Sequence, residues 1–135
     1  MKTGGKSLGT LVAISSRMSR DYRKLKVFIE ADALVPLIYE ATRGLPSEER
    51  LGLQVQIRRA AVSVPCNVAE GSARRSTRDF LRFVEIAFGS AREVRYLLRL
   101  SVRLGFVPDR IAQPLLGRYD GLQAGFNALI ESLTS

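Results

Sequence analysis

The chain has 135 residues, the length of one ordinary domain with its own hydrophobic core. It carries 21 Lys and Arg against 13 Asp and Glu, a formal net charge of +8, with one Cys and no His. A single Cys excludes an intrachain disulfide framework, and the lack of His excludes an imidazole base, a His-ligated metal and a Ser–His nucleophile pair. We therefore expect no enzyme activity, no metal and no cofactor, and no small-molecule substrate is evident.

The positive charge is concentrated in two parts of the chain. Residues 1–26 and residues 58–103 each carry a net charge of +6. Residues 27–57 carry −3, and residues 104–135 carry −1. Such an excess of base favours a polyanionic partner, although charge alone does not identify that partner.

The N-terminal part of the chain differs from the remainder in pattern. Glycines and serines interrupt any periodicity there, so we predict a flexible basic extension over residues 1–24 and one folded domain over residues 25–135. No run approaches the 18 apolar residues that a membrane span needs, so we expect no membrane contact and a cytoplasmic location.

From residue 25 onward, apolar residues recur at helical spacing, without sustained alternation or hairpin turns. The first predicted helix covers about 25–43 and is ended by Gly44 and Pro46. The second begins at Ser47, a plausible N-cap, and reaches about Gly71.

Two further helices complete the predicted domain. The third begins at Ser76, whose hydroxyl is a suitable N-cap, and ends at Gly105. The fourth follows Pro108 and reaches Leu133, but only its second half, from Leu122, is predicted to be regular. The residues expected to break its first half are Pro114, Gly117 and Gly121.

The third predicted helix carries an apolar row, here called the seam, at alternating spacings of four and three. The seam residues are Phe80, Val84, Ala87, Ala91, Val94 and Leu98. This heptad spacing is typical of helices packed at a shallow angle, and four helices with short connections predict an all-α, antiparallel up-down-up-down four-helix bundle. A second apolar set lies off the seam and suggests a second buried surface, hence an oligomer: Leu81, Phe83, Ile86, Phe88 and Leu97.

The second predicted helix carries a row of polar residues at helical spacing, here called the polar stripe. Its members are Gln56, Arg59, Ser63, Asn67 and Glu70. A solvated helix face is one interpretation, and a hydrogen-bonded contact with another helix or subunit is the other. Catalysis by Glu70, Ser63 or Cys66 is poorly supported because no second carboxylate, His or Lys lies beside them.

The connection between the second and third helices is rich in Arg, Gly and hydroxyl residues next to a helix N-terminus, which suits a phosphate group, and an ordinary basic loop is the alternative. Along the third helix, eight positions form one row, here called the Arg face: 78, 82, 85, 89, 92, 96, 99 and 103. Five of them are Arg, and Tyr96 within the row is a candidate for stacking on a base. The alternative is charge pairing with acids of a neighbouring helix or subunit.

These patterns give two sets of candidate residues. The candidate nucleic-acid contacts are Arg74, Arg75, Arg78, Arg82, Lys24 and Lys26. The candidate interface residues, from the polar stripe and its surroundings and from the Arg face, are Gln56, Arg58, Arg59, Ser63, Asn67, Glu70, Arg92 and Arg99.

One segment resembles a known family. The run is Gln56-Ile-Arg-Arg-Ala-Ala-Val-Ser-Val-Pro-Cys-Asn-Val-Ala-Glu-Gly71, followed by Arg75, Ser76 and the pair Asp79-Phe80. It is similar to the signature of the 23S rRNA intervening-sequence protein family, and the resemblance extends over about residues 25–133. Two positions depart from the family pattern: Cys66, where a small Ser is common, and Phe28, where Trp is common.

The resemblance implies a non-enzymatic homopentamer of four-helix bundles. It also implies a relationship to accessory proteins of diversity-generating retroelements, which are basic and bind nucleic acid with a reverse transcriptase. Because genes of this family were first noticed within rRNA insertions, RNA or DNA is the expected partner. The alternative is a scaffold protein that assembles with itself or with other proteins and has no nucleic-acid role.

Overall fold

A computed structural model describes residues 20–135, which contain four α-helices and no β-strand. Helix α1 covers Lys26–Ala41, α2 covers Leu53–Ser72, α3 covers Thr77–Arg103 and α4 covers Asp109–Thr134. None of these four helices combines the length and the apolar character required to cross a membrane.

The four helices form a closed ring around one core. Each packs against its neighbour in the chain, and α1 also packs against α4. Hydrogen bonds join Gln56 near the start of α2 to Glu93 in the second half of α3, and Arg92 of α3 to Gln123 in the second half of α4. The predicted all-α four-helix bundle is confirmed.

The core lies along the rows of apolar residues that the periodicity predicts. All six residues of the α3 seam are buried, none more than 2% exposed. The predicted row of α2 is buried as well: Leu53, Ile57, Ala60, Val64 and Val68. Ala87 and Ala91, with no exposed surface, keep the middle of α3 narrow and allow close packing of a neighbouring helix.

Both predicted ends of α3 agree with the structure to within two residues. The Ser76 hydroxyl accepts a hydrogen bond from the Asp79 amide at 3.0 Å, which satisfies one of the free amides of the first turn. At the other end, Gly105 has a φ of 79°, a left-handed conformation that glycine adopts without a steric penalty. The amides of Gly105 and Phe106 bond back to the last turn, as in a Schellman motif.

The start of α2 is later than predicted. Residues Ser47–Glu49 form a separate 3-10 helix, and α2 begins at Leu53 after Gly52. A carboxylate oxygen of Glu49 accepts a hydrogen bond from the Leu53 amide at 3.2 Å, so Glu49 serves the helix end where Ser47 was expected to act. The prediction at Ser47 is wrong because the acidic residues after it form their own short turn.

Helix α4 is continuous, and the prediction of a broken first half is wrong. In an isolated helix, each internal glycine costs about 1 kcal/mol relative to alanine, and an internal proline such as Pro114 costs about 3 kcal/mol. These costs are outweighed because the same half of α4 buries Ala112, Leu115, Leu116 and Tyr119 in the core.

The apolar residues beside the α3 seam have mixed environments. Phe83 and Leu97 are buried within the chain, and the Phe88 ring packs edge-on against Phe126 with centroids 6.2 Å apart. Ile86 is 44% exposed. The single chain therefore covers most of this set, and only Ile86 remains largely open to a further partner.

The predicted extension lies mostly outside the described residues, which begin at Arg20. In the described part of the extension, Tyr22–Lys24 form a 3-10 helix that contacts α1 and α2. The Tyr22 ring packs edge-on against the Phe28 ring, with centroids 4.7 Å apart. These contacts join the residues just before α1 to the bundle.

Candidate nucleic-acid interface

The connection between α2 and α3 is held by an arginine from the start of the described chain. Arg20 donates hydrogen bonds to the backbone oxygen of Arg74 at 2.7 Å and to the hydroxyl of Thr77 at 2.8 Å. Its guanidinium also lies 5.6 Å from the centre of the Phe80 ring. The turn is thus fixed in place, which the sequence pattern did not indicate because Arg20 is 54 residues from Arg74.

Two of the predicted arginines flank one aromatic ring. The guanidinium groups of Arg74 and Arg82 lie 4.7 Å and 4.8 Å from the centre of the Phe83 ring. Arg74 also pairs with Glu70 at 3.3 Å. Cation–π contacts of this kind hold the stems of the two side chains in place.

The other two predicted arginines point into solvent. Arg75 and Arg78 are exposed, and neither belongs to any ion pair among residues 20–135. Arg74 and Arg75 line one depression together with Arg20, whereas Arg78 and Arg82 line another beside Asp79 and Glu85. The structure therefore gathers the four predicted arginines at one end of the bundle.

The two predicted lysines are exposed, and neither lines the depressions that hold the four arginines. Lys24 belongs to the 3-10 helix before α1. Lys26 lines a shallow depression between α1 and α4, beside Glu30 and Arg118. Lys26 thus lines a depression other than the two that hold Arg74, Arg75, Arg78 and Arg82.

The polar stripe of α2 makes hydrogen bonds to α3 of the same chain. The hydroxyls of Ser63 and Ser90 are 2.8 Å apart. The Asn67 amide nitrogen donates to the backbone oxygen and the hydroxyl of Ser63, at 2.8 Å and 2.9 Å. Each of the two interpretations of this stripe holds for part of it: Ser63 bonds to α3 and helps to fix the register of α2 against α3, whereas Arg59 and Glu70 are exposed to solvent.

Adjacent arginines of α2 have different environments. Arg58 donates to the Thr42 hydroxyl at 3.0 Å and to the Tyr39 backbone oxygen at 3.1 Å, and it covers the Tyr39 ring at 4.5 Å. It thereby satisfies a carbonyl at the C-terminal end of α1, where positive charge is favourable. Arg59 is exposed and borders a groove that also contains Gln56 and Ser63.

All eight positions of the Arg face are exposed. In its second half, the face borders a groove between α3 and α4 that is lined by Arg92, Arg99 and Arg103. Arg92 donates to the amide oxygen of Gln123 in the opposite wall at 3.3 Å. Arg92 and Arg99, two of the candidate interface residues, thus lie in the same basic groove.

Arg95, which no sequence pattern indicated, forms the ion pair of this groove. Its guanidinium donates two hydrogen bonds to the Asp120 carboxylate. These bonds hold the pKa of Asp120 below its ordinary value and raise the pKa of Arg95. Arg95 and Asp120 are equally far in sequence from the loop near residue 107. Aligning α3 and α4 as an antiparallel hairpin about that loop would therefore have identified this pair.

The structure does not bring Ser63, Glu70 and Cys66 together in one groove. The groove beside Ser63 is lined by neither Glu70 nor Cys66, and Glu70 is exposed and paired with Arg74. Within residues 20–135, no three side chains among Cys, Asp and Glu cluster closely enough to hold a metal ion. Burial raises the pKa of Tyr119 well above its ordinary value, so this phenol stays protonated in the core.

Comparisons with other proteins place the chain in a family. Residues 23–128 match the family described as 23S rRNA-intervening sequence protein. One similar solved structure is a protein of unknown function from the S23 ribosomal protein family of Bacteroides thetaiotaomicron, with a TM-score of 0.71. The two are 21% identical over 78% of this chain and 95% of that one, which supports the fold. No curated protein matches the chain. Because the family match extends over most of the sequence, the chain belongs to the 23S rRNA-intervening sequence protein family.

Proposed function

We propose that this protein is a non-enzymatic, oligomeric bundle that binds the backbone of RNA or DNA through its basic surfaces. The observation that carries the proposal is the arginine cluster at the connection of α2 and α3. Arg75 and Arg78 are exposed there without a carboxylate partner in the described chain. The name of the family, which refers to 23S rRNA, agrees with such a partner. A cytoplasmic location is part of the same proposal.

The geometry of the cluster suits phosphate groups. Guanidinium groups donate two parallel hydrogen bonds to phosphate oxygens, and the first turn of α3 adds free backbone amides beside them. Four arginines at one end can neutralise several consecutive phosphates of a chain. Binding of this kind releases counterions and therefore weakens steeply as the salt concentration rises.

The test is a double charge reversal at the cluster, Arg75→Glu with Arg78→Glu. The matched control reverses two other exposed arginines that lie outside the cluster, Arg50→Glu with Arg110→Glu, and changes the net charge equally. We expect the cluster variant to lose at least about tenfold in affinity for labelled RNA or DNA, and its log–log salt slope to fall by about 1.4–1.8. Equal losses in both variants would show that only net charge matters, and no binding by the wild type at low salt would refute the proposal.

A second candidate function is self-assembly as a scaffold, with the homopentamer of the family resemblance as its specific form. It is favoured by exposed apolar side chains, including Leu51 at 89% and Ile29 at 53% exposure. The acidic segment 27–57 and the Arg face also have opposite charge, so two copies can attract one another through different surfaces. Arg92→Glu or Arg99→Glu should then lower the molar mass measured by light scattering, and an unchanged mass would count against this candidate.

A further inference from the structure

The groove between α3 and α4 contains more hydrogen-bond donors than acceptors. Four arginines line it, and Asp120 is the one carboxylate in its lining, already engaged by Arg95. In its wall, the amide nitrogen of Gln123 is buried without a hydrogen-bond partner among residues 20–135. A buried donor without an acceptor is unfavourable, so a ligand that fits this groove supplies acceptor atoms and negative charge.

An exposed aromatic ring lies among these arginines. Tyr96 is 58% exposed, and no aromatic or cationic group packs on its ring within the described part of the chain. Arg92, Arg99 and Arg103 share its helix face. At 1.5 Å per residue, the span from Arg92 to Arg103 is about 16 Å, roughly the length of five stacked nucleotides of one strand.

We propose that this groove binds an unpaired stretch of nucleic acid, with one base stacked on Tyr96 and the flanking phosphates held by Arg92, Arg99 and Arg103. The inference rests on the proposed function and adds to it the class of nucleic acid recognised. Arginines alone bind the backbone of single and double strands alike. The aromatic ring makes the difference, because a base exposes its flat face for stacking only when it is unpaired or displaced from a duplex.

The ligand also explains the unpartnered Gln123 amide. In the unbound chain, Arg92 donates to the Gln123 oxygen at 3.3 Å, a long hydrogen bond that a phosphate readily replaces. When Arg92 turns to the phosphate, the Gln123 side chain is released and its amide nitrogen becomes available to an acceptor of the bound strand. The groove thus exchanges a weak internal contact for charged ones.

The test compares three fluorescein-labelled probes by anisotropy at low salt: a 12-nucleotide oligo(U), a 12-nucleotide oligo(dT) and a 12-base-pair DNA duplex. We expect Tyr96→Ala to weaken binding of both single strands about 5- to 100-fold and to leave duplex binding within about twofold. Tyr96→Phe keeps the ring and is the matched control, so it should bind all three probes as the wild type does. A loss for oligo(U) alone would assign the groove to RNA, and equal losses for both single strands would assign it to either nucleic acid.

Two results would overturn this inference while leaving the proposed function intact. One is a Tyr96→Ala variant that binds all three probes as the wild type does, or that loses the same affinity for the single strands and for the duplex. The other is a change in molar mass of Tyr96→Ala in light scattering, which would make this face a contact between copies. A wild type that binds none of the probes would overturn the proposed function as well. Because Tyr96 is exposed, Tyr96→Ala should unfold at the wild-type temperature in circular dichroism.

Discussion

Gly71 near the end of α2 provides the sharpest test of how the bundle is packed. A Cβ atom added there would lie 2.6 Å from the Cβ of Phe83 and 3.3 Å from a ring carbon of Phe80. Because the Cβ of Phe83 is fixed to the backbone of α3, the contact is relieved only if the two helices move apart. In an open helical position, the same change would stabilise the helix by about 1 kcal/mol. For Gly71→Ala, overpacking exceeds this gain, and we expect a net loss of about 2 kcal/mol in the free energy of unfolding.

The matched control for Gly71→Ala is Gly121→Ala in α4, where nothing lies within 4 Å of the added Cβ. It should raise the free energy of unfolding by about 0.5–1 kcal/mol. For a domain of this size, thermal unfolding followed by circular dichroism should show a decrease of about 6–10 °C for Gly71→Ala and an increase of about 2–4 °C for Gly121→Ala. An unchanged or higher unfolding temperature for Gly71→Ala would refute the close approach of α2 and α3 at this residue.

Three further changes test the helix ends and the charge pairs. Ser76→Ala removes the N-cap of α3 and should cost about 1 kcal/mol in urea unfolding, whereas Ser76→Asp should retain most of the stability. Arg58→Ala should lower the free energy of unfolding by about 1–2 kcal/mol because it removes two hydrogen bonds at the end of α1. The control at the adjacent residue, Arg59→Ala, should lower it by less than about 0.5 kcal/mol, and equal losses would contradict this difference. Hydrogen bonds from Arg118 hold the pKa of Glu30 below its ordinary value of 4.5. This half-exposed pair therefore stabilises the fold above pH 4.5, and the stabilisation is lost as the pH falls through the lowered pKa of Glu30. Glu30→Gln should therefore cost up to about 0.5 kcal/mol in the free energy of unfolding at pH 7 and progressively less as the pH falls below 4.5, and a cost that does not change with pH would contradict the pairing.

The sequence was sufficient for the core because the core depends on local spacing. The α3 seam, the Ser76 cap and the Gly105 end are each determined by residues within one or two turns of each other, and each is found where it was predicted. The breaks predicted in α4 failed for the opposite reason. Helix propensity argued for them locally, but burial of that half against other helices carried more free energy.

The candidate site was less predictable because its contacts join distant parts of the chain. The charge of Arg20 was visible in the sequence, but its bond to the Arg74 backbone spans 54 residues. The resemblance identified the motif that ends at Gly71 without giving the reason for a glycine there. The reason is the position of Phe83 on the next helix, which spacing within α2 cannot reveal.

The arrangement of α3 separates the stability of the bundle from its proposed activity. The buried seam and the exposed Arg face lie on opposite sides of one helix, and the described ion pairs use none of Arg78, Arg92, Arg99 or Arg103. Burial on the seam side accounts for the contribution of α3 to folding, so the Arg face is not required for the fold and even carries a cost from like charges at i and i+4. Charge repulsion of this kind is relieved when phosphates bind. Reversal of a single charge at Arg78, Arg99 or Arg103 should therefore leave the unfolding temperature unchanged or higher while weakening binding. A lower unfolding temperature would instead indicate that acids of the same assembly neutralise these arginines.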